Sequence, residues 1–186
     1  MEADVNETTM TSTTARRLLV LTGDGKGKTT AALGMVLRAT GHGHRALIVQ
    51  FIKSDKSSGE VIALRQLASA EIILAGLGFV PPLGHPAYPQ HRRAAEAGLA
   101  LVDRALRERR HELVVLDEAC TAIAKGLIDE RATLDVVACA GPGVCVVLTG
   151  RGASDDLLAA ADTATEMCCL KHAFQQRRPA DKGVEW

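Results

Sequence analysis

The hydrophobic positions of this chain fall into short continuous runs that alternate with longer segments of helical period. Short runs rich in Val, Ile and Leu are typical of strands that are buried on both faces of a parallel sheet. We predict strands at Leu18 to Leu21, Arg45 to Phe51, Glu71 to Leu74, Leu113 to Leu116, Val144 to Leu148 and Thr165 to Leu170. We predict helices at Lys28 to Thr40, Gly59 to Ala68, Gln90 to Arg110, Ala119 to Ala124 and Asp155 to Ala161. This alternation predicts an α/β fold with a mostly parallel sheet of about six strands flanked by helices.

Length and composition narrow the class of protein. A chain of 186 residues suits one well-cored domain, which we expect over residues 17–186 behind a polar tail of residues 1–16. The tail has no apolar segment of the length that a secretion signal needs. Basic and acidic side chains balance at 22 each, so no overall field attracts nucleic acid or an anionic membrane. We therefore expect a cytoplasmic protein that binds neither.

The cysteines give no sign of a metal site or a disulfide framework. The chain has 5 of them, an odd number, and no Cys-x-x-Cys pair. Most lie within apolar sequence, which predicts buried thiols. Cys168 and Cys169 fall in the last predicted strand, where neighbouring side chains point to opposite faces, so we interpret both as packing residues.

The most informative segment follows the first predicted strand and reads Thr-Gly-Asp-Gly-Lys-Gly-Lys-Thr-Thr. Glycines at alternate positions let backbone N–H groups converge on a phosphate, a lysine adds charge, and a following threonine can hold magnesium or manganese. In the usual motif four residues separate the first glycine from Gly-Lys, so a threonine stands here where that glycine is expected; the loop is either one residue tighter or begins without glycine. The predicted nucleotide-binding residues in this segment are Thr22, Gly23, Asp24, Gly25, Lys26, Gly27, Lys28, Thr29 and Thr30.

Two later strands also end in residues that could bind a nucleotide. Asp117 and Glu118 follow Leu113 to Leu116 and resemble a Walker B element, which would hold the metal together with Thr29; a helix cap at Asp117 is the alternative. Arg151 follows the strand that ends at Leu148 and could pair with phosphate oxygens, although a solvated loop arginine remains open.

The segment after the last predicted strand carries a weaker signal. Lys171 and His172 stand at its end, where such residues are more often solvated. A Gly- and Pro-rich stretch from Ala75 to Pro89 carries Phe79 and Tyr88, two of the few aromatic residues, and is interpreted as a binding loop.

Six ordered motifs together resemble the ATP:corrinoid adenosyltransferases of the CobA type. They are the loop of residues 22–32, Arg38-Ala-Thr-Gly-His-Gly43, Val49-Gln-Phe-Ile-Lys53, Leu116-Asp-Glu118, Leu148-Thr-Gly-Arg-Gly152 and Lys171-His-Ala-Phe174. The phosphate loop that begins with threonine, irregular by the general rule, is what that family carries. The resemblance runs from about Leu18 to Trp186.

The resemblance implies a RecA-like P-loop fold, usually a homodimer, that transfers the 5′-deoxyadenosyl group of ATP to Co(I) of a corrinoid and releases triphosphate. A flavoprotein or flavodoxin-like protein would supply the electrons. The residues that this function implies fall into four groups. Lys28, Glu118 and Arg151 would be catalytic; Thr29, Asp117 and Glu118 would hold the metal; Gln50, Arg151 and Lys171 would join the loop, including Asp24, in binding the nucleotide; Phe79, His172 and Phe174 would bind the corrinoid.

Three segments depart from the family pattern: the loop that carries Phe79, residues 119–123 after Glu118, where larger residues are often found, and the tail segment Gln176-Arg-Arg-Pro179. Where members typically show Gly-Phe-Thr-Trp, this chain has Gly78-Phe-Val-Pro81, so one of two aromatic residues thought to displace the lower axial ligand of cobalt is missing. Two other functions stay open from the sequence. A P-loop ATPase or small-molecule kinase would use Glu118 to orient a water. A non-catalytic protein that binds corrinoid or nucleotide would keep the fold without turnover.

Overall fold

A six-stranded, all-parallel sheet forms the centre of the computed structural model, which describes residues 15–172 and 178–184. The strands are β1 Arg17–Thr22, β2 Ala46–Gln50, β3 Ala70–Leu74, β4 Leu113–Asp117, β5 Cys145–Thr149 and β6 Thr163–Glu166. Their order is β3-β2-β4-β5-β1-β6, and every neighbouring pair is parallel. The predicted α/β fold is confirmed.

Helices cover both faces of this sheet. They are α1 Lys28–Gly41, α2 Gly59–Leu64, α3 Tyr88–Glu108, α4 Ala119–Ala124, α5 Glu130–Ala138 and α6 Asp155–Ala160. Apolar residues of α1 and α2 form one core with one face of the sheet, and those of α3 to α6 form a second core with the other face. The sequence of β4 is apolar from Leu113 to Leu116 because both faces of the strand are buried. Leu113 and Val115 pack in the first core, whereas Val114 and Leu116 pack in the second.

Three helix predictions differ from the structure. α5 was not predicted; its N-terminus is capped by Asp129, whose side chain accepts a hydrogen bond from Ala132 N at 2.8 Å. α2 ends at Leu64, four residues earlier than expected. α3 begins at Tyr88, because Pro89 is tolerated in the first helical turn. Tyr88 is therefore buried in the core and not part of a binding loop, and its hydroxyl donates to Lys125 O at 2.7 Å.

The last strand ends earlier than the sequence predicted. Among the described residues β6 pairs with β1 alone, and its final pair joins Glu166 to Thr22, where β1 itself ends. Beyond that point no strand in the described part of the chain continues the ladder. Cys168 and Cys169 consequently lie after the strand and are exposed, so their prediction as buried packing residues is wrong.

Some of the sequence-based predictions concern residues that the structure does not describe. Most of the predicted tail, residues 1–14, lies outside them, as does Phe174. Within residues 15–172 and 178–184, no helix has the length and apolar character needed to cross a membrane.

Candidate nucleotide-binding site

A cleft of about 630 Å³ opens at the carboxyl edge of the sheet, beside the ends of β1, β2, β4 and β5. Ligands of open parallel sheets bind at this edge, because the loops after the strands converge there. The cleft is lined by Asp24, Gly25, Lys26, Gly27, Lys28, Thr29, Thr30, Leu33, Ile52, Lys53, Gly59, Glu60, Glu118, Thr121, Arg151, His172, Gly183 and Val184. The structure thus brings most of the predicted phosphate loop together with Glu118, Arg151 and His172.

The phosphate loop joins β1 to α1 through two glycines in the left-handed region. Gly23 has φ 93° and Gly27 has φ 117°, values that residues with a side chain rarely adopt. α1 begins immediately afterwards at Lys28, so the positive end of its dipole faces the cleft. The backbone therefore has the turn and the helix N-terminus that phosphate binding requires.

Lys28 places an ammonium group inside this loop. Its Nζ donates to Gly23 O at 2.6 Å and to Gly25 O at 2.7 Å, and the residue is buried. Burial lowers the pKa of Lys28 below the usual lysine value, and the positive charge of Arg151 lowers it further, against the opposing effect of nearby carboxylates. An anion bound beside Nζ would stabilise the charged form.

Gly25 meets a different constraint, a close approach of two backbone segments. Its N–H donates to Met167 O at 2.6 Å, just after β6. A Cβ at this position would lie 2.5 Å from Met167 O and 2.7 Å from Cys168 O, both closer than real Cβ atoms come. The phosphate loop therefore rests directly on the segment that follows β6, and only glycine fits there.

Asp117 is the centre of the hydrogen-bond network beneath the cleft. Its Oδ1 accepts from Thr29 Oγ1 at 2.7 Å and from Thr149 Oγ1 at 2.8 Å. Its Oδ2 accepts from Gln50 Nε2 at 3.0 Å and lies 3.5 Å from Lys53 Nζ. The carboxylate is fully buried and links the phosphate loop to β2 and β5.

Glu118 occupies a strained position at the start of α4. Its φ is 61°, in the left-handed region, which an L-residue adopts at a cost of roughly 1–2 kcal/mol. Its N–H donates to Thr149 Oγ1 at 2.9 Å, and its side chain accepts from Thr121 Oγ1 at 2.5 Å. Because Glu118 itself is the residue before α4, Asp117 does not cap this helix, and the capping alternative falls away.

Arg151 approaches the phosphate loop from the end of β5. Its Nε lies 3.5 Å from Asp24 Oδ1, and Nη2 donates to Asp24 O at 3.4 Å. Both side chains are largely exposed, at 64% and 86%, so this ion pair is weak and the guanidinium is available to a ligand in the cleft.

The sequence prediction missed a pair of charged residues that also line the cleft. Lys53 Nζ lies 3.1 Å from Glu60 Oε1, and both side chains line the cleft. Burial acts to lower the pKa of Lys53, but the carboxylates of Asp117 and Glu60 outweigh it and raise that pKa above the usual value. Lys53 stands just beyond the end of β2, so inspecting that strand end as well would have found it. Thr121, also missed, reaches the cleft by tertiary packing of α4.

Several predicted site residues lie outside the cleft lining. Gln50 is buried and braces Asp117. Thr22 is buried at the end of β1, where its hydroxyl accepts from Ala153 N at 3.3 Å. Gly23 accepts a hydrogen bond through its carbonyl oxygen from Lys28, which itself lines the cleft. Lys171 is exposed.

Phe79 lies on a separate loop that is tied to the cleft wall. Its side chain is 90% exposed, and Leu77 and Leu83 on the same loop are also exposed. Gly78 N donates to Ile52 O at 2.8 Å, and Ile52 lines the cleft. Val80, in contrast, is buried in the core. The loop is thus anchored by Val80 while Phe79 projects into solvent.

Residues 14–186 match the protein family described as ATP:corrinoid adenosyltransferase BtuR/CobO/CobP. The chain belongs to this family. It is 40% identical over 176 residues to a corrinoid adenosyltransferase of Pseudomonas aeruginosa, covering 91% of this chain and 83% of that protein. It is 34% identical over 174 residues to the corrinoid adenosyltransferase CobA of Salmonella typhimurium, covering 91% and 85%. A corrinoid adenosyltransferase of Sinorhizobium sp is 33% identical over 177 residues, covering 91% and 79%.

Proposed function

We propose that this protein transfers the 5′-deoxyadenosyl group of ATP to the Co(I) centre of a corrinoid. The electron pair of Co(I) attacks C5′ of the ribose, the cobalt–carbon bond forms, and the C5′–O bond breaks. Triphosphate leaves with the electron pair of that bond. The observation that carries the proposal is that the phosphate loop, Glu118 and Arg151 line one cleft in a chain that belongs to the adenosyltransferase family.

The chain's own groups would stabilise the departing triphosphate. Charge builds up on the phosphate oxygens as the C5′–O bond breaks, so donors fixed in advance around those oxygens lower the barrier. Lys28, the N-terminus of α1 and Arg151 surround the position where the phosphates would lie. Because the guanidinium of Arg151 is held by solvent-exposed contacts with Asp24, it can turn to the phosphates at little cost.

The same site offers ligands for magnesium or manganese. Thr29, Asp117 and Glu118 supply oxygen donors, the type that these hard cations prefer, and Thr29 is hydrogen-bonded to Asp117. In the described ranges, no three side chains from His, Cys, Asp and Glu cluster as a metal-binding group. Phosphate oxygens and water would therefore complete the coordination. When bound, the cation would neutralise charge on the leaving triphosphate.

Corrinoid binding is proposed for the loop that carries Phe79. The exposed phenylalanine and its neighbours Leu77 and Leu83 offer apolar side chains beside the cleft wall, which could contact a planar macrocycle. His172 lines the cleft and would contact the corrinoid from the other side. Phe174 and Lys171 keep the corrinoid and nucleotide roles that the resemblance implies.

The homodimer, the flavoprotein reductant and the cytoplasmic location are proposals that rest on the resemblance alone.

Restoring the second aromatic residue tests the role of this loop. Pro81→Trp should raise the rate of transfer to cobalamin bearing its lower base about 2- to 10-fold, the effect of an aromatic contact worth about 0.5–1.5 kcal/mol. Pro81 is only partly buried, beside Phe79, so the new ring has space on the solvent side. The measurement is the initial rate of organocobalt formation from Co(II) cobalamin, with a reduced flavin supplying the one electron that converts Co(II) to Co(I).

Leu83→Trp is the matched control, because position 83 is 83% exposed on the same loop. An equal gain from both tryptophans, or no gain from Pro81→Trp, would contradict the assignment of positions 79 and 81 to the lower face of the corrinoid.

Product analysis tests the function itself. The protein incubated with ATP, magnesium and chemically reduced cobalamin should yield a light-sensitive organocobalt product and triphosphate in equal amounts. Formation of ADP and phosphate without organocobalt product would instead identify an ATPase or kinase. Tight corrinoid binding without any turnover would identify a non-catalytic binding protein.

A further inference from the structure

We infer that Thr121 is a positioning residue that fixes Glu118 and Arg151 relative to each other; this inference rests on the proposed function. Thr121 lies in α4, lines the cleft and stands between the loops that follow β4 and β5. Neither the sequence motifs nor the family resemblance assigned it a role. Its hydroxyl contacts both of the other residues directly.

The hydrogen bonds around this hydroxyl have only one consistent direction. Thr121 Oγ1 carries a single hydrogen, which it donates to Glu118 Oε2 at 2.5 Å. Its lone pair accepts the backbone N–H of Arg151 at 2.9 Å. A continuous chain therefore runs from the Arg151 amide through the hydroxyl to the Glu118 carboxylate, and each bond polarises the next.

Tight packing holds the two loops at this distance. A Cβ on Gly150, which has φ 132°, would lie 2.7 Å from Thr121 N and 2.8 Å from Thr121 Oγ1. The turn after β5 thus presses against the first turn of α4 at Thr121. Movement of either loop would have to break the contact at this hydroxyl.

The hydroxyl also helps to define the conformation of Glu118. The left-handed backbone of that residue persists because surrounding groups hold it: Thr149 accepts its amide hydrogen, and Thr121 holds its carboxylate. Without the Thr121 hydroxyl, the backbone N–H of Glu118 would keep its hydrogen bond to Thr149 Oγ1. The carboxylate of Glu118 would lose the one side-chain hydrogen bond that it has among the described residues. The carboxylate would then leave the orientation from which it faces the cleft.

The test compares three variants with the wild type. Thr121→Val removes the hydroxyl and keeps the shape, Thr121→Ser keeps the hydroxyl, and Thr133→Val removes a comparable buried hydroxyl that bonds to Asp129 O at 2.8 Å in α5, away from the cleft. Measurements are kcat and KM for ATP in organocobalt formation. A third readout needs no corrinoid: the affinity for Mn²⁺ at saturating ATP, followed by electron paramagnetic resonance.

Thr121→Val should lower kcat about 10-fold or more, since displacement of a catalytic group by a fraction of an ångström has effects of this order, with KM for ATP nearly unchanged. Its Mn²⁺ affinity should also fall. Thr121→Ser should keep most of the wild-type kcat and most of the Mn²⁺ affinity. Thr133→Val should keep both values even if the variant unfolds at a lower temperature than the wild type. The inference is overturned by wild-type kcat and Mn²⁺ affinity in Thr121→Val, or by a serine variant as impaired as the valine variant.

Failure of the proposed function gives a different pattern. In that case the wild type itself forms no organocobalt product, while the Mn²⁺ titration still compares the variants. Loss of Mn²⁺ affinity in Thr121→Val alone would then support the positioning role, and equal affinities in all four proteins would overturn it.

Discussion

Lys28→Ala is expected to lower kcat/KM for adenosyl transfer by about 100-fold or more. The variant removes the buried ammonium that donates to two carbonyl groups of the phosphate loop, where it would face the oxygens of the leaving triphosphate. Removing one preorganised electrostatic group from an active site typically costs about 100- to 1,000-fold in kcat. Steady-state kinetics with ATP as the varied substrate would measure the loss.

Lys56→Ala is the matched control for Lys28→Ala. Lys56 is exposed on the loop before α2 and does not line the cleft, so its replacement should leave kcat/KM unchanged. Since Lys28 also donates to two loop carbonyls, thermal unfolding of both variants should be recorded. A folded Lys28→Ala protein with near wild-type kcat/KM would contradict a catalytic role for Lys28.

Gly25→Ala is expected to abolish measurable ATP binding. The added methyl would lie 2.5 Å from Met167 O and 2.8 Å from Cys168 C, and both atoms belong to backbone that cannot rotate away. The phosphate loop or the segment after β6 must shift, breaking the hydrogen bond from Gly25 N to Met167 O. Overpacking of this kind also destabilises the fold by about 1–3 kcal/mol. Equilibrium binding of a fluorescent ATP analogue and thermal unfolding would report both effects.

Gly34→Ala in α1 provides the comparison. A Cβ there meets no atom within 4 Å, and alanine is a better helix former than glycine by about 0.5–1 kcal/mol. Gly34→Ala should bind the analogue as the wild type does and unfold at an equal or higher temperature. Unchanged nucleotide affinity in Gly25→Ala would show that docking of the loop against Met167 is unimportant for binding.

The parts of the site that follow strand ends could be predicted from the sequence. Residues 24–30, Glu118 and Arg151 all come directly after apolar runs, and parallel strands bring such residues to one edge. The phosphate loop was recognisable even with its irregular first position, because the glycines, the lysine and the threonine each have a separate physical purpose.

Features that depend on tertiary packing were beyond the sequence. Thr121 looks like an ordinary residue of a short helix until Gly150 is found pressed against it. The end of β6 was mispredicted because β6 stops where β1, its one neighbour in the described sheet, gives way to the phosphate loop, and the apolar residues 167–170 carry no sign of that. Cys168 and Cys169 were assigned to the core for the same reason.

The most direct test of the central claim is which bond of ATP breaks. ATP would carry a heavy oxygen isotope at the position that bridges C5′ and the α-phosphorus, and would be incubated with the protein, magnesium and chemically reduced cobalamin. The products would then be separated and their masses measured by mass spectrometry. Attack of Co(I) on C5′ predicts that all of the label leaves in triphosphate, with an unlabelled adenosyl group on cobalt. Label retained in ADP, AMP or another adenosine-containing product would place the cleavage at phosphorus and contradict adenosyl transfer.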